Sequence, residues 1–180
     1  RLGVDYIDLY QVHWPNPDED IEEAWEEMAR LVEEKKVRFV GVSNFNVEQM
    51  DRARRIAPIS SLQPVYNMFE RGIEAHILDY CTQSEIGIVG YSPLGAGLLT
   101  GKFSHDVLAS LPDDDWRRMH KHFKGDLFNR LLDTIELLKE IAGNHGRSIS
   151  ELAIAWVLRQ NSVTSAIVGA RRPDQIEQTV

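Results

Sequence analysis

The sequence predicts an α/β fold built on parallel strands, a (β/α)₈ TIM barrel in incomplete form, and three observations lead there. Short apolar segments of strand length alternate along the 180 residues with segments of helical period. Repeated strand–helix units return the chain to the same edge of a sheet, so neighbouring strands run parallel. Polar residues collect where the strands end: His13, Ser43 with Asn44, Gln63, Tyr91 with Ser92, and Arg171 each follow a different strand. A barrel builds its sites on that C-terminal face. Five strands are too few to close an eight-stranded barrel, which makes this one partial.

Taken in order, Tyr6 to His13 alternates apolar and polar residues and reads as a strand closed by Trp14-Pro15. Asp20 with Glu23 is expected to form a capping box on a helix whose inner face carries Ile21, Ala24, Trp25, Met28, Leu31 and Val32. Val37 to Val42 is the second strand, followed by a helix from about Val47 to Ile56. Ile59 to Gln63 is the third, and Ile73 to Ser84 its helix, with Ile73, Ile77, Leu78 and Cys81 inward. The fourth strand opens into a glycine-rich loop, and Ser104 to Gly125 reads as an unusually long polar connection. Leu127 to Ala142 is an amphipathic helix, Ser148 with Glu151 caps another through Arg159, and Ser165 to Val168 is the fifth strand before a last helix starting at Pro173.

The stretch Ile88 to Lys102, I-V-G-Y-S-P-L-G-A-G-L-L-T-G-K, is the candidate nucleotide loop. Gly95, Gly97 and Gly101 are expected to leave backbone N–H groups unshielded, as a phosphate requires. It is not a P-loop, because five residues separate Gly95 from Gly101 and Phe103 follows Lys102. Nor is it a Rossmann fingerprint, whose third glycine would fall at Thr100.

Composition narrows the function classes. A formal charge of −8 with no basic run argues against nucleic acid and anionic membrane as partners. The single cysteine, Cys81, cannot pair within the chain, no apolar run approaches the roughly 18 residues a membrane span needs, and the N-terminus lacks a signal-peptide pattern, so a cytoplasmic location is expected. Arg1 just before a helix-ending Gly3, and a helix barely begun at Val180, give the expectation that residues 1–180 are one barrel domain truncated at both ends.

Six segments together resemble one family: L-G-V-D-Y-I-D-L-Y-Q-V-H-W-P, V-G-V-S-N-F, L-Q-P-V-Y-N, Y-S-P-L-G-A-G-L-L-T-G-K, S-I-S-E-L-A-I-A-W-V-L-R and I-V-G-A-R-R-P-D-Q. In this order and spacing they are similar to the aldo-keto reductases, (β/α)₈ enzymes that use NADPH without a Rossmann fold. The resemblance implies strands four to eight of the barrel and an oxidoreductase that reduces aldehydes or ketones to alcohols by hydride transfer. Of the family's catalytic Asp, Tyr, Lys and His, only the His maps, onto His13, which implies that the chain alone is inactive. A regulatory NADPH-binding module is the alternative, since ion-channel β subunits also resemble this family. A half-barrel that pairs with a second copy is a third reading, because its outer strands leave unpaired edges.

For the cofactor, the resemblance implies that Ser43, Asn44 and Gln63 bind the nicotinamide carboxamide and that Tyr91 stacks beneath the ring. Without it, Ser43-Asn44 reads equally as a cap on the following helix, and Tyr91 as a core aromatic. Ser92, Leu94, Gly95, Gly97 and Lys102 would fold over the pyrophosphate, and Gly169, Arg171, Arg172 and Gln175 would hold the adenosine end. Two arginines at a helix start favour a 2′-phosphate, hence NADPH over NADH. Where many relatives place an adenine-binding Asn, this chain has Thr179. His120-x-His122 lacks a cysteine or a third well-spaced ligand, so no metal is expected there. Trp116 and Phe123 are expected to cover cofactor or substrate, and Trp25 and Trp156 to be core.

Overall fold

Residues 2–177 are described by a computed structural model. Chain order is β1 (Ile7–Val12), α1 (Ile21–Glu33), β2 (Val37–Ser43), α2 (Val47–Arg54), β3 (Ser61–Gln63), α3 (Ile77–Gln83), β4 (Gly87–Tyr91), α4 (His105–Ala109), α5 (Gly125–Asn144), α6 (Ile149–Leu158), β5 (Val163–Ile167) and α7 (Pro173–Glu177). The strands form one sheet in sequential order, β1-β2-β3-β4-β5, every neighbouring pair parallel. This is an incomplete (β/α)₈ barrel, open at β1 and β5.

The two faces of the sheet have different chemistry, because side chains alternate along each strand. One row pairs Val12, Val42, Leu62, Ile88 and Val163 in register, and Val42, Leu62 and Ile88 are fully buried. They pack with Trp25, Met28, Met50, Cys81 and Val157 in the main core, each buried aliphatic contributing roughly 1.5–3 kcal/mol. The preceding row, Gln11, Gly41, Ser61 and Gly87, lies on the opposite face. There Gln11 Nε2 donates to Ser61 Oγ at 3.0 Å, and a Cβ at Gly41 would stand 2.3 Å from that Oγ and 2.7 Å from the Ser61 carbonyl oxygen. Only glycine fits between these two strands.

A second core forms where the chain after β4 meets α5 and α6, from Leu98, Leu99, Phe123, Phe128, Leu131, Ile135, Ile149 and Ala153. Ser148 and Glu151 make the expected capping box on α6. The box expected from Asp20 and Glu23 does not form. A 3₁₀ turn over Asp18–Asp20 leads into α1 instead, and Arg52 of α2 binds Asp18 at 2.5 Å and Glu22 at 2.6 Å, so a contact between helices replaces the local cap. Asn46 and Gln49 build a capping box on α2.

Four further expectations need correction. The helix expected over Ile73 to Ser84 is split into a 3₁₀ turn at Gly72–Glu74 and α3, with the Glu74 carboxylate taken by Arg71, Tyr66 and Arg159. Ser104 to Gly125 is not bare loop: it carries α4 and two 3₁₀ turns, Trp116–Arg118 and Lys121–Phe123. Phe123 covers no cavity, because it is buried in the second core. Trp25 is core as expected, but Trp156 is half-buried, with Arg159 3.7 Å from its ring centre and Tyr66 5.1 Å away. No helix among the described residues is long and apolar enough to cross a membrane.

Candidate active site

The ends of β1 to β4 are joined by side-chain hydrogen bonds. Asn44, just past β2, has a φ of 64°, a left-handed conformation that asparagine tolerates better than most residues. That turn directs its amide across three strands: Nδ2 donates to the His13 carbonyl and to Ser43 Oγ, both at 3.0 Å, and Oδ1 accepts the Tyr91 hydroxyl at 3.0 Å. Ser43, buried, donates to the Gln63 carbonyl at 2.7 Å, and Gln63 Nε2 donates to Gln11 Oε1 at 2.9 Å. Burial first and the Glu70 carboxylate second push the Tyr91 phenol up, so it stays a neutral hydroxyl near pH 7.

This geometry separates the alternative readings of the pair after β2. The cap of α2 is Asn46, so Ser43 and Asn44 are not helix caps but members of the strand-end network. Tyr91 is half-buried with its hydroxyl satisfied, and its ring lines two cavities. Gln63 has one amide hydrogen engaged among the described residues, which leaves a donor and an acceptor to offer a carboxamide.

On one side of Tyr91 opens a cleft of about 640 Å³, between the glycine-rich loop and the chain after β5. Of the residues expected at a cofactor it gathers Tyr91, Ser92, Leu94, Gly97, Lys102, Gly169, Arg171 and Gln175. Arg117 joins them, and no sequence motif singled it out. Asp115 holds its guanidinium through contacts of 2.8 and 2.5 Å, and the group lies 5.6 Å from the Phe103 ring centre. Arg117 in turn keeps the Asp115 carboxyl down at about 2. Three cations, Lys102, Arg117 and Arg171, therefore line one cleft.

Several expected residues are placed otherwise. The amides of Gly95, Gly97 and Gly101 are not unshielded: they donate to the carbonyls of Ser92, Leu94 and Leu98, each at 3.0 Å. The loop winds into 3₁₀ turns, with positive φ at Gly95, Ala96, Gly97 and Gly101, and its glycines serve that winding. Arg172 does not line the cleft; its guanidinium is bound to Asp174 by two contacts of 2.9 Å. Gln175 Oε1 accepts the backbone N–H groups of Arg171 at 2.7 Å and Arg172 at 3.1 Å. His13 is exposed past β1 and joins the network through its carbonyl, not its ring. Thr179 lies outside the described residues.

On the other side of Tyr91 is a smaller cavity of about 310 Å³, lined by Asn67, Glu70, Gly95, Trp116, His120 and His122 among others. Asn67 is buried: its Nδ2 donates to the Ser92 carbonyl at 3.0 Å, and its Oδ1 accepts the N–H groups of Phe69 and Glu70, both at 2.9 Å. It thus anchors Ser92, whose φ is 55°, to the loop after β3. A further cleft of about 690 Å³ between α2 and α3 holds none of the strand-end residues.

Comparison with known proteins agrees with this architecture. A family profile described as "Aldo/keto reductase family" matches residues 1–180. The chain is 42% identical over 178 residues to "Aldo-keto reductase YhdN" of Bacillus subtilis (strain 168), across 98% of this chain and 53% of that protein. It is 34% identical over 180 residues to "Probable aldo-keto reductase 1" of Glycine max, across 100% and 51%. Among solved structures, that of "the glycerol dehydrogenase AKR11B4 from Gluconobacter oxydans" has a TM-score of 0.91 and 38% identity, covering 99% of this chain and 54% of that one. The chain spans about half the length of the curated relatives it matches.

Proposed function

The chain belongs to the aldo/keto reductase family, and we propose that it supplies the cofactor cleft and the histidine of an NADPH-dependent oxidoreductase that reduces an aldehyde or ketone to an alcohol. One observation carries this reading: a hydrogen-bonded amide and hydroxyl cluster and a cationic cleft meet at a single aromatic ring, Tyr91. A dinucleotide has a neutral amide-bearing ring at one end and phosphates along the rest, and the two regions offer matching chemistry.

The cofactor would supply the hydride when bound. Gln63, with Asn44 and Ser43 fixed behind it, would orient a carboxamide through its remaining donor and acceptor. Tyr91 would present its ring face, held by the bond from its hydroxyl to Asn44. Lys102 and Arg117 would neutralise the pyrophosphate, a role in which the ammonium and guanidinium replace the internally bonded loop amides. Arg171 would meet the 2′-phosphate and give the preference for NADPH, without help from Arg172. His13 would orient the oxygen of a small carbonyl substrate.

The family's catalytic Asp, Tyr and Lys match no position in these 180 residues, so the chain alone is expected to bind cofactor without turning substrate over. A cytosolic setting fits Cys81, whose thiol is buried and pushed up to about 11 by desolvation, out of reach of ordinary oxidation. Titration with NADPH and NADH, followed by tryptophan quenching, tests the proposal. Micromolar NADPH affinity, about tenfold tighter than NADH, is the expected result. A folded protein that binds neither nucleotide would refute it.

A further inference from the structure

The loop after β3 and the turn Lys121–Phe123 bring together three side chains that the proposed oxidoreductase chemistry does not use. Glu70, His120 and His122 each offer one ligand atom, and these atoms all lie within 4.8 Å of one another. We propose that they bind one divalent transition ion of the zinc class, which staples the segment before α5 onto the loop after β3 beside Tyr91.

The donor set selects the ion. Two imidazoles and a carboxylate suit zinc and the later first-row metals and leave a coordination position for water, whereas calcium and magnesium take oxygen ligands. Geometry has half of the site in place. His122 Nε2 and Glu70 Oε1 are 3.4 Å apart, and two ligands on a tetrahedral ion with bonds of about 2.0–2.1 Å stand about 3.4 Å from each other. His122 is only 6% exposed and is wedged edge-on against Phe69, with ring centres 6.2 Å apart. Glu70 is held at its backbone, where its N–H donates to Asn67 Oδ1 and the two residues form an isolated bridge.

His120 is the arm that closes. It is half-buried, its ring centre is 4.9 Å from that of His122, and its Nδ1 accepts a long 3.3 Å bond from the His122 N–H. Coordination through either ring nitrogen exchanges that bond. If Nδ1 binds the ion its lone pair is used, and if Nε2 binds, Nδ1 must carry the proton. Lys121 Nζ holds Glu70 Oε1 at 2.8 Å and compensates its charge; the lysine side chain is 62% exposed, so the ammonium can turn to solvent when an ion takes its place. Trp116 meets His120 edge-on at 5.5 Å, so a paramagnetic ion bound there quenches its fluorescence. Arg117 follows Trp116 in the same turn and lines the cofactor cleft, which places the ligand His120 three residues along the chain from the proposed phosphate site.

The test uses the intact protein without an affinity tag, stripped of metal and titrated with Zn²⁺ against a chromophoric chelator, then with Co²⁺ followed by its visible absorption. One equivalent of zinc per chain is expected, with the intense bands of low-coordinate Co²⁺ and quenching of Trp116. Because His122 is buried, the two less buried ligands carry the test. Glu70→Gln and His120→Gln should each weaken zinc binding at least about tenfold, the loss seen even for groups behind the ligands of known sites. His145→Gln, remote and exposed, should change nothing. Absence of stoichiometric zinc binding, or undiminished binding in either ligand variant, overturns the proposal. These readouts need no nucleotide, so they stand apart from the cofactor reading.

Discussion

At the ends of β1 to β4, Gln11, Ser43, Asn44, Gln63 and Tyr91 hold one another through hydrogen bonds of 2.7 to 3.0 Å, whereas across the Tyr91 ring the cleft is framed by Lys102, Arg117 and Arg171, three cations from separate segments. In the first region most polar capacity is used internally, and Gln63 keeps a donor and an acceptor beyond its bond to Gln11. In the second, Arg117 is already paired with Asp115, whereas Lys102 and Arg171 bring further positive charge to the same cavity, so the cleft suits an anion. On the proposed reading, the contrast shows how one binding site would divide its labour. A cross-bonded network would set orientation at little entropic cost, because its side chains are already ordered. Charge would set affinity, in a salt-dependent manner.

The network can be broken most severely at its foundation. Gly41→Ala drives a Cβ into Ser61, including its backbone oxygen, and should cost about 3 kcal/mol, read as a lower urea midpoint. Asn44→Ala removes the amide that joins β1, β2 and β4. A stability loss of about 2 kcal/mol is expected from the lost bonds and the unfavourable φ, together with equal weakening of NADPH and NADH. Arg171→Ala sharpens the comparison from the other side. NADPH affinity should fall about tenfold, or about 1.4 kcal/mol, while NADH affinity and thermal stability stay put. If Arg171→Ala weakened both nucleotides alike, the division between orienting and charge-binding regions would fail.

The smallest effect is expected away from both regions. Glu74 joins Tyr66, Arg71 and Arg159, and chiefly the Arg71 contact lowers its carboxyl from 4.5 to about 2. Its folded pKa is depressed, so its contribution is present above pH 4.5 and is lost as the pH falls toward 2. Glu74→Gln should cost about 1 kcal/mol at pH 7, with the gap to the parent closing across that acid window, and should leave nucleotide titrations unchanged.

The fold was legible because its signal is local. Val42, Leu62 and Ile88 stand in short apolar runs, α1 and α5 carry clear helical stripes, and a polar residue closing an apolar strand marks the candidate face. What escaped the sequence depends on distant partners or on backbone winding. Nothing around Gly95 to Gly101 shows that positive φ at Ala96 and Gly97 turns the loop amides inward. Asp20 lost its capping role because Arg52 captures the first turn of α1, and Arg172 lost its place in the cleft to Asp174, two residues on. Arg117 reads as one charge in a polar stretch until Asp115 and Phe103 aim it. Glu70 lies far along the chain from His120 and His122, so the histidine pair lacked a visible third donor.

The central claim is that one dinucleotide spans both regions, and a crystal structure of the protein with NADP⁺ tests it most directly. The account expects the carboxamide on Gln63 beside Asn44 and Ser43, the ring against Tyr91, the pyrophosphate between Lys102 and Arg117, and the 2′-phosphate on Arg171. A nucleotide bound elsewhere, or lying in the cleft with its carboxamide turned away from Gln63 and Asn44, would contradict it.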